Sequence, residues 1–188
     1  LLLGLLISIG AVYLTFSNAL FFSFAVGHPW ILFFGWIGTI FWANSAGHSS
    51  SGTMALTSFY ASTFLGGMFM APVILRVASF DNGFTIITLA LTTTTVTFLG
   101  LTAYVFVSRR NFSFMRGFLI TGLLAVIGAS LLNLLFPSGA FSFGISLAAA
   151  LLFSGFILYD TSQVLQRAAS IPPTLAALRF YLDFINLF

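Results

Sequence analysis

The sequence predicts an all-α integral membrane protein, a seven-helix transmembrane bundle forming one domain over residues 1–188. Three observations lead there. Hydrophobic residues make up 60% of the chain and charged residues 5%, with a mean hydropathy of +1.13. Six Arg and three acidic residues, with no Lys, could not cover the surface of a soluble domain of 188 residues. The apolar runs are continuous, close to the ~20 residues a helical span needs, and lack the alternation of a membrane β-barrel.

The spans follow in order. Residues 1–26 supply the first, rich in Phe21, Phe22 and Phe24, and Gly27, His28 and Pro29 break it. Residues 30–45 form a short second span, opened by Trp30 and closed near Trp42 as interfacial aromatics do. After the polar loop Asn44–Gly52 come spans at 53–75, 84–107, 115–135 and 141–166. The seventh segment starts at Pro172–Pro173, which suits a helix start, and occupies 172–188, either as a full span that leaves the C-terminus outside or as a re-entrant segment that keeps it inside. Both ends lie in apolar sequence, as expected of a core trimmed of polar tails.

Arg109, Arg110 and Arg116 share one short loop, which reads as cytoplasmic, and Arg167 falls on the same side. Arg76, beside Asp81, falls on the other. The N-terminus is therefore expected in the cytoplasm. The net charge of +3 lies in short loops, not in a nucleic-acid patch. The absence of Cys excludes disulfides, thiolate metal sites and a cysteine nucleophile. Small residues at Gly117, Gly122 and Gly128, and at Ser142, Ser146, Ala150 and Ser154, are expected to line helix-packing faces.

Two of the three acids, Asp160 and Asp183, sit inside apolar runs. An ionisable residue at membrane depth is costly and marks a functional site by default. Asp160 lies about 10 Å before Arg167, and Asp183 about 15 Å after Pro173, so a helical hairpin places them at similar depth. Periodicity puts Ser142, Ser146, Ala149, Phe153, Gln163 and Arg167 on the face of Asp160, and Ala176, Arg179 and Asn186 on that of Asp183. Two carboxyls close together in a low dielectric cannot both ionise easily and tend to share a proton. Protonated, such a pair clasps two helices. Deprotonated, it repels, or it binds a cation through oxygen ligands, which suits Ca²⁺. The expected site is Asp160 and Asp183 as pH sensor, ion path and Ca²⁺ ligands, with Arg179, Arg167, Gln163 and Asn186 in support. The structural alternative pairs Asp183 with Arg179 and Asp160 with Arg167.

Gly155-Phe156-Ile157-Leu158-Tyr159-Asp160-Thr161, followed by Phe180-Tyr181-Leu182-Asp183-Phe184-Ile185-Asn186-Leu187-Phe188, resembles the signature of the Bax inhibitor-1, or transmembrane Bax inhibitor motif, family. Thr102-Ala103-Tyr104-Val105, Arg109-Arg110 and Phe112-Ser113-Phe114 resemble the middle of bacterial members, especially the modulator of the FtsH protease. The resemblance implies a seven-helix bundle with the last helix central. It also implies a pH-sensitive Ca²⁺ leak channel sensed by a transmembrane Asp pair, for which Asp160 and Asp183 are the matching positions. The implied setting is a bacterial inner membrane. Bacterial members are described with a latch Arg on the second helix, but residues 27–52 hold no Arg or Lys. Arg179, Arg76 or His48 would have to supply it.

No catalytic residue and no cofactor are expected; Ca²⁺ and H⁺ are cargo, and the lipid bilayer is the constant partner. Tyr159-Asp160 fits half of an intramembrane aspartyl protease, but the Gly-x-Gly-Asp and Pro-Ala-Leu motifs are missing. Gly47-His48-Ser49-Ser50 hints at a rhomboid-type serine protease, though a base adjacent in sequence is poorly placed. The two His are not spaced as a metal site. The rival to a channel is a modulator that binds another membrane protein, such as a membrane protease.

Overall fold

In the computed structural model, which describes residues 1–48 and 51–188, every regular element among the described residues is helical. The helices are α1 (Leu2–Ser17), α2 (Ala19–Gly27), α3 (Pro29–Ala46), α4 (Gly52–Ala78), α5 (Gly83–Ser108), α6 (Arg116–Leu135), α7 (Gly139–Gln166) and α8 (Pro173–Leu187), with a 3₁₀ turn at Ser113–Met115. This follows from composition: in lipid, backbone N–H and C=O groups must be satisfied within the segment. Among the described residues, four stretches are long and apolar enough to cross a membrane: α4, α5, Ser113–Leu135 and α7. The α1–α2 pair makes a fifth if taken as one span. α8, at 15 residues, is too short for that measure, and α3, at 18, is long enough but not apolar enough, so four or five of the seven expected spans meet it among the described residues.

The chain forms two compact units. The first holds Leu1–Leu91 and Ile171–Tyr181. Here the apolar run 1–26 is broken, because α1 and α2 meet at an angle of 101°. Asn18 is the cause. Its backbone is extended, and its Oδ1 accepts from the N–H groups of Leu20 at 2.9 Å and Phe21 at 3.4 Å, capping a new helix. The buried residues of α1 are Gly4, Ser8, Ala11 and Thr15, a stripe of small side chains. They face α4, whose buried residues are also mostly small. Gly4 lies against Phe59 and Thr63, and the backbone of Ser8 against Gly67, so α1 and α4 run parallel. In contrast, α3 runs antiparallel to α4: Phe33 and Trp36 both meet the Phe69 ring, at 5.6 and 5.7 Å, while Gly35 approaches Leu65. Between oppositely directed α1 and α3, the bent α2 makes the turn. Ala11, Ala25, Leu32 and Met68, one from each of α1–α4, form the unit's apolar core.

The second unit holds Thr92–Ser170 and Leu182–Phe188. Its frame is the antiparallel hairpin of α6 and α7. Leu152 sits over Gly122, and Leu119 over Gly155, so each helix offers a large residue to the other's glycine. Further along the same register, Asn133 Nδ2 donates to Ser142 Oγ at 2.8 Å. The expected small-residue faces hold only in part. Gly117 and Gly128 meet nothing within 4 Å. Steps of five and six residues rotate them away from the face of Gly122. Ser146 and Ala150 of α7 are exposed as well.

Candidate functional site

The site is built on the C-terminal half of α7 and the end of α8, which belong to the second unit together. α7 turns a buried strip inward here: Ile157, Thr161 and Ser162 are fully buried, and Gln163 nearly so. Asp160 stands beside this strip and is half-buried. One turn of α7 thus concentrates a carboxyl, two hydroxyls and an amide in a chain otherwise dominated by apolar side chains.

Asp183 is more deeply placed, at 5% exposure. Its neighbour Phe184 is also buried and packs its ring edge-on against Phe98 of α5, with centroids 5.7 Å apart. A carboxyl in such a position has lost most of its water, and one held there must be stabilised by protonation, by hydrogen bonds or by a cation. Both predicted acids therefore fall in one unit, the inner one on α8 and the outer one on α7.

The supporting residues divide. Gln163 is buried beside the acid on α7. Arg167 lies just past the end of α7 and is exposed, and Asn186 is exposed on α8. Arg179 is half-buried one turn before Asp183. Of the other latch candidates, Arg76 is exposed in the last turn of α4. His48 is exposed, with its Nδ1 2.8 Å from the Asn44 carbonyl. Ser49 and Ser50, the candidate serine nucleophiles, lie outside the described residues. Among the described residues, no three His or acidic side chains converge as a metal site, so a cation at Asp160 or Asp183 would need hydroxyl, carbonyl or water oxygens too.

Sequence reasoning assigned no role to a polar cluster in the first unit. Tyr181 is completely buried, and its hydroxyl lies 2.9 Å from Ser8 Oγ and 3.4 Å from the Thr63 carbonyl. Ser8 Oγ in turn lies 2.7 Å from that same carbonyl and 3.1 Å from the carbonyl of Gly4. Gly66 leaves the room this cluster needs: a Cβ there would stand 2.5 Å from the Tyr181 hydroxyl and 2.9 Å from Trp36 Nε1. Trp36 Nε1 is buried with no hydrogen-bond partner among the described residues. The available signal was the small-residue stripe of α1, in which Ser8 is the first hydroxyl.

The comparisons agree on kinship. The family model described as "Inhibitor of apoptosis-promoting Bax1" matches residues 1–188. An uncharacterized Campylobacter jejuni protein is 35% identical over 184 residues, which span 96% of this chain and 77% of the relative. An uncharacterized membrane protein of Vibrio cholerae is 39% identical over 152 residues, spanning 81% of this chain and 67% of the relative. The mouse protein lifeguard 4 is 41% identical over 95 residues, half of this chain and 40% of its own length. With apolar helices, an acid on each of the last two and a match along its whole length, this chain belongs to the Bax inhibitor-1 family of membrane proteins.

Proposed function

We propose that this protein is a pH-responsive, Ca²⁺-permeable leak whose sensor is Asp160 with Asp183. The observation that carries the reading is the burial of Asp183, 5% exposed, in the same unit as the half-buried Asp160. Keeping two acids in apolar helices costs stability, and that cost is explained if their protonation does work. At low pH the pair holds a proton and α7 is clasped to α8. As pH rises the proton leaves, the carboxylates separate, and their oxygens become ligands for a passing cation. Flux should therefore increase with pH.

Bacterial relatives support placement in a bacterial inner membrane. The Arg109–Arg116 loop and Arg167 support an orientation with the N-terminus in the cytoplasm. The opposed directions of α1 and α3 fit this, with α2 as the turn outside.

The test is Ca²⁺ entry into liposomes containing the purified protein, titrated against pH. Wild type should show flux that climbs with pH. Asp160→Asn and Asp183→Asn each fix a neutral side chain and should leave a low, flat profile. A wild type without Ca²⁺ flux, or variants that retain the full pH response, would sink the proposal; thermal melts of the same samples identify any variant that has failed to fold.

A further inference from the structure

We infer that the α5–α6 loop and the end of α7 form a binding surface for the phosphate headgroups of anionic phospholipids. Four of the chain's six Arg gather there: Arg109, Arg110, Arg116 and Arg167. The antiparallel α6–α7 hairpin brings the start of α6 and the end of α7 to one end of the second unit. All four Arg are exposed. The acids of this unit are Asp160 and Asp183, half-buried and buried, whereas the four Arg are all exposed, so positive charge predominates on the surface at this end.

Positive charge on a loop is enough to orient a membrane protein. This loop has more than charge. The N–H of Phe112 donates to Ser162 Oγ on α7 at 3.2 Å, pinning the loop centre to the hairpin. The N–H of Ser113 donates to Asn111 Oδ1 at 2.8 Å, and the Phe112 ring meets those of Tyr104 on α5 and Phe114, each at 6.3 Å. The Arg side chains therefore start from a fixed frame. Between Arg110 and Arg116 stands Phe114, 79% exposed. An exposed aromatic ring in a loop that carries arginines on both sides in sequence suits the boundary of a bilayer, where the ring enters the acyl region and the Arg groups meet phosphate. A soluble phosphate would have no use for the ring. Guanidinium also matches phosphate geometry with paired hydrogen bonds.

The experiment is native mass spectrometry of the full chain in detergent, with phosphatidylglycerol and phosphatidylcholine of identical acyl chains added together. Wild type should retain phosphatidylglycerol selectively, with each Arg contributing about fivefold. Arg109→Gln/Arg110→Gln/Arg116→Gln should lose the selectivity, and the same three positions as Lys should keep most of it. Phe114→Ala should weaken retention of both lipids. Helical content by circular dichroism, unchanged in these surface variants, separates lost binding from lost folding. Equal retention of the two lipids by wild type, or full selectivity in the Gln variant, would overturn the inference. Displacement of the lipid by inorganic phosphate at matched ionic strength would overturn it too, because it would make the ligand a soluble anion.

Discussion

The Ser8 hydroxyl on α1 lies 2.9 Å from the Tyr181 hydroxyl on α8, a contact between residues 173 positions apart with no water exposure on the Tyr side. Both groups converge on the Thr63 carbonyl of α4, so three helices meet at one acceptor. In lipid there is no hydrophobic drive between helices, and such contacts together with close packing hold them. Tyr181→Phe should therefore cost about 1 kcal/mol, lowering the melting temperature in detergent by about 2–4 °C. Ser8→Ala should cost a similar amount, and the double variant less than the two added, with a coupling of about 0.6 kcal/mol. Strict additivity would show that the two hydroxyls do not interact.

Glycines of the first unit should respond very differently to one added methyl. A Cβ at Gly67 would run into the backbone of Ser8, and one at Gly66 into Tyr181 and Trp36. Gly10 has nothing within 4 Å. Gly67→Ala should destabilise by about 1–3 kcal/mol, as overpacking does. Gly66→Ala should fall in the same range. Gly10→Ala, in the same bundle, should be neutral or stabilising by up to about 1 kcal/mol, because Ala is the better helix former. Melting temperatures of the three variants give the ranking directly, and equal shifts would mean that α1 does not approach α4 this closely.

The α6–α7 hairpin offers a compensation experiment. A Cβ at Gly122 would lie 2.7 Å from Leu152 Cδ1, the far end of a flexible side chain. Gly122→Ala should cost about 1–2 kcal/mol alone. Leu152→Ala alone should also destabilise, by opening a gap over Gly122. Combined, they should recover part of the loss, since the new methyl occupies the space the leucine leaves. A double variant as unstable as the sum of both singles would mean the register of this hairpin is different.

Much of this was legible beforehand. Continuous apolar runs could only be helices, because a lipid-exposed backbone has no other way to satisfy its polar groups. Asp160 and Asp183 stood out because charge in such a run is rare and costly. The Tyr181 cluster could not be read, since nothing in the spacing of α8 points to a serine on α1. The stripe Gly4, Ser8, Ala11 and Thr15, which sequence reasoning did not single out, marks the packed side of α1, but small residues accept many partners and do not identify α4. Counting Gly117 with Gly122 failed for a different reason: glycine content is not a face unless the spacing returns to the same side of the helix. Asn18 was hidden by its surroundings, because one amide among Phe and Leu scarcely changes the hydropathy of a span.

That same Asn18 makes the bend of the first apolar run testable. Its Oδ1 is the cap of α2, and losing such a cap costs about 1 kcal/mol. With Leu in its place, the run 1–26 has no reason to stop at residue 18, and a straight helix becomes the competing state. Leu6 and Val26 are exposed and can carry spin labels. A straight helix would hold these positions about 30 Å apart, whereas a bend of 101° brings them to about 20 Å. Pulsed electron paramagnetic resonance on the wild-type background should therefore give the shorter distance. Asn18→Leu should broaden the distribution toward the longer one, and Asn18→Ser, which keeps a capping oxygen, should not. A wild-type distance near 30 Å would remove the bend, and with it the role of α2 as the turn between oppositely directed α1 and α3.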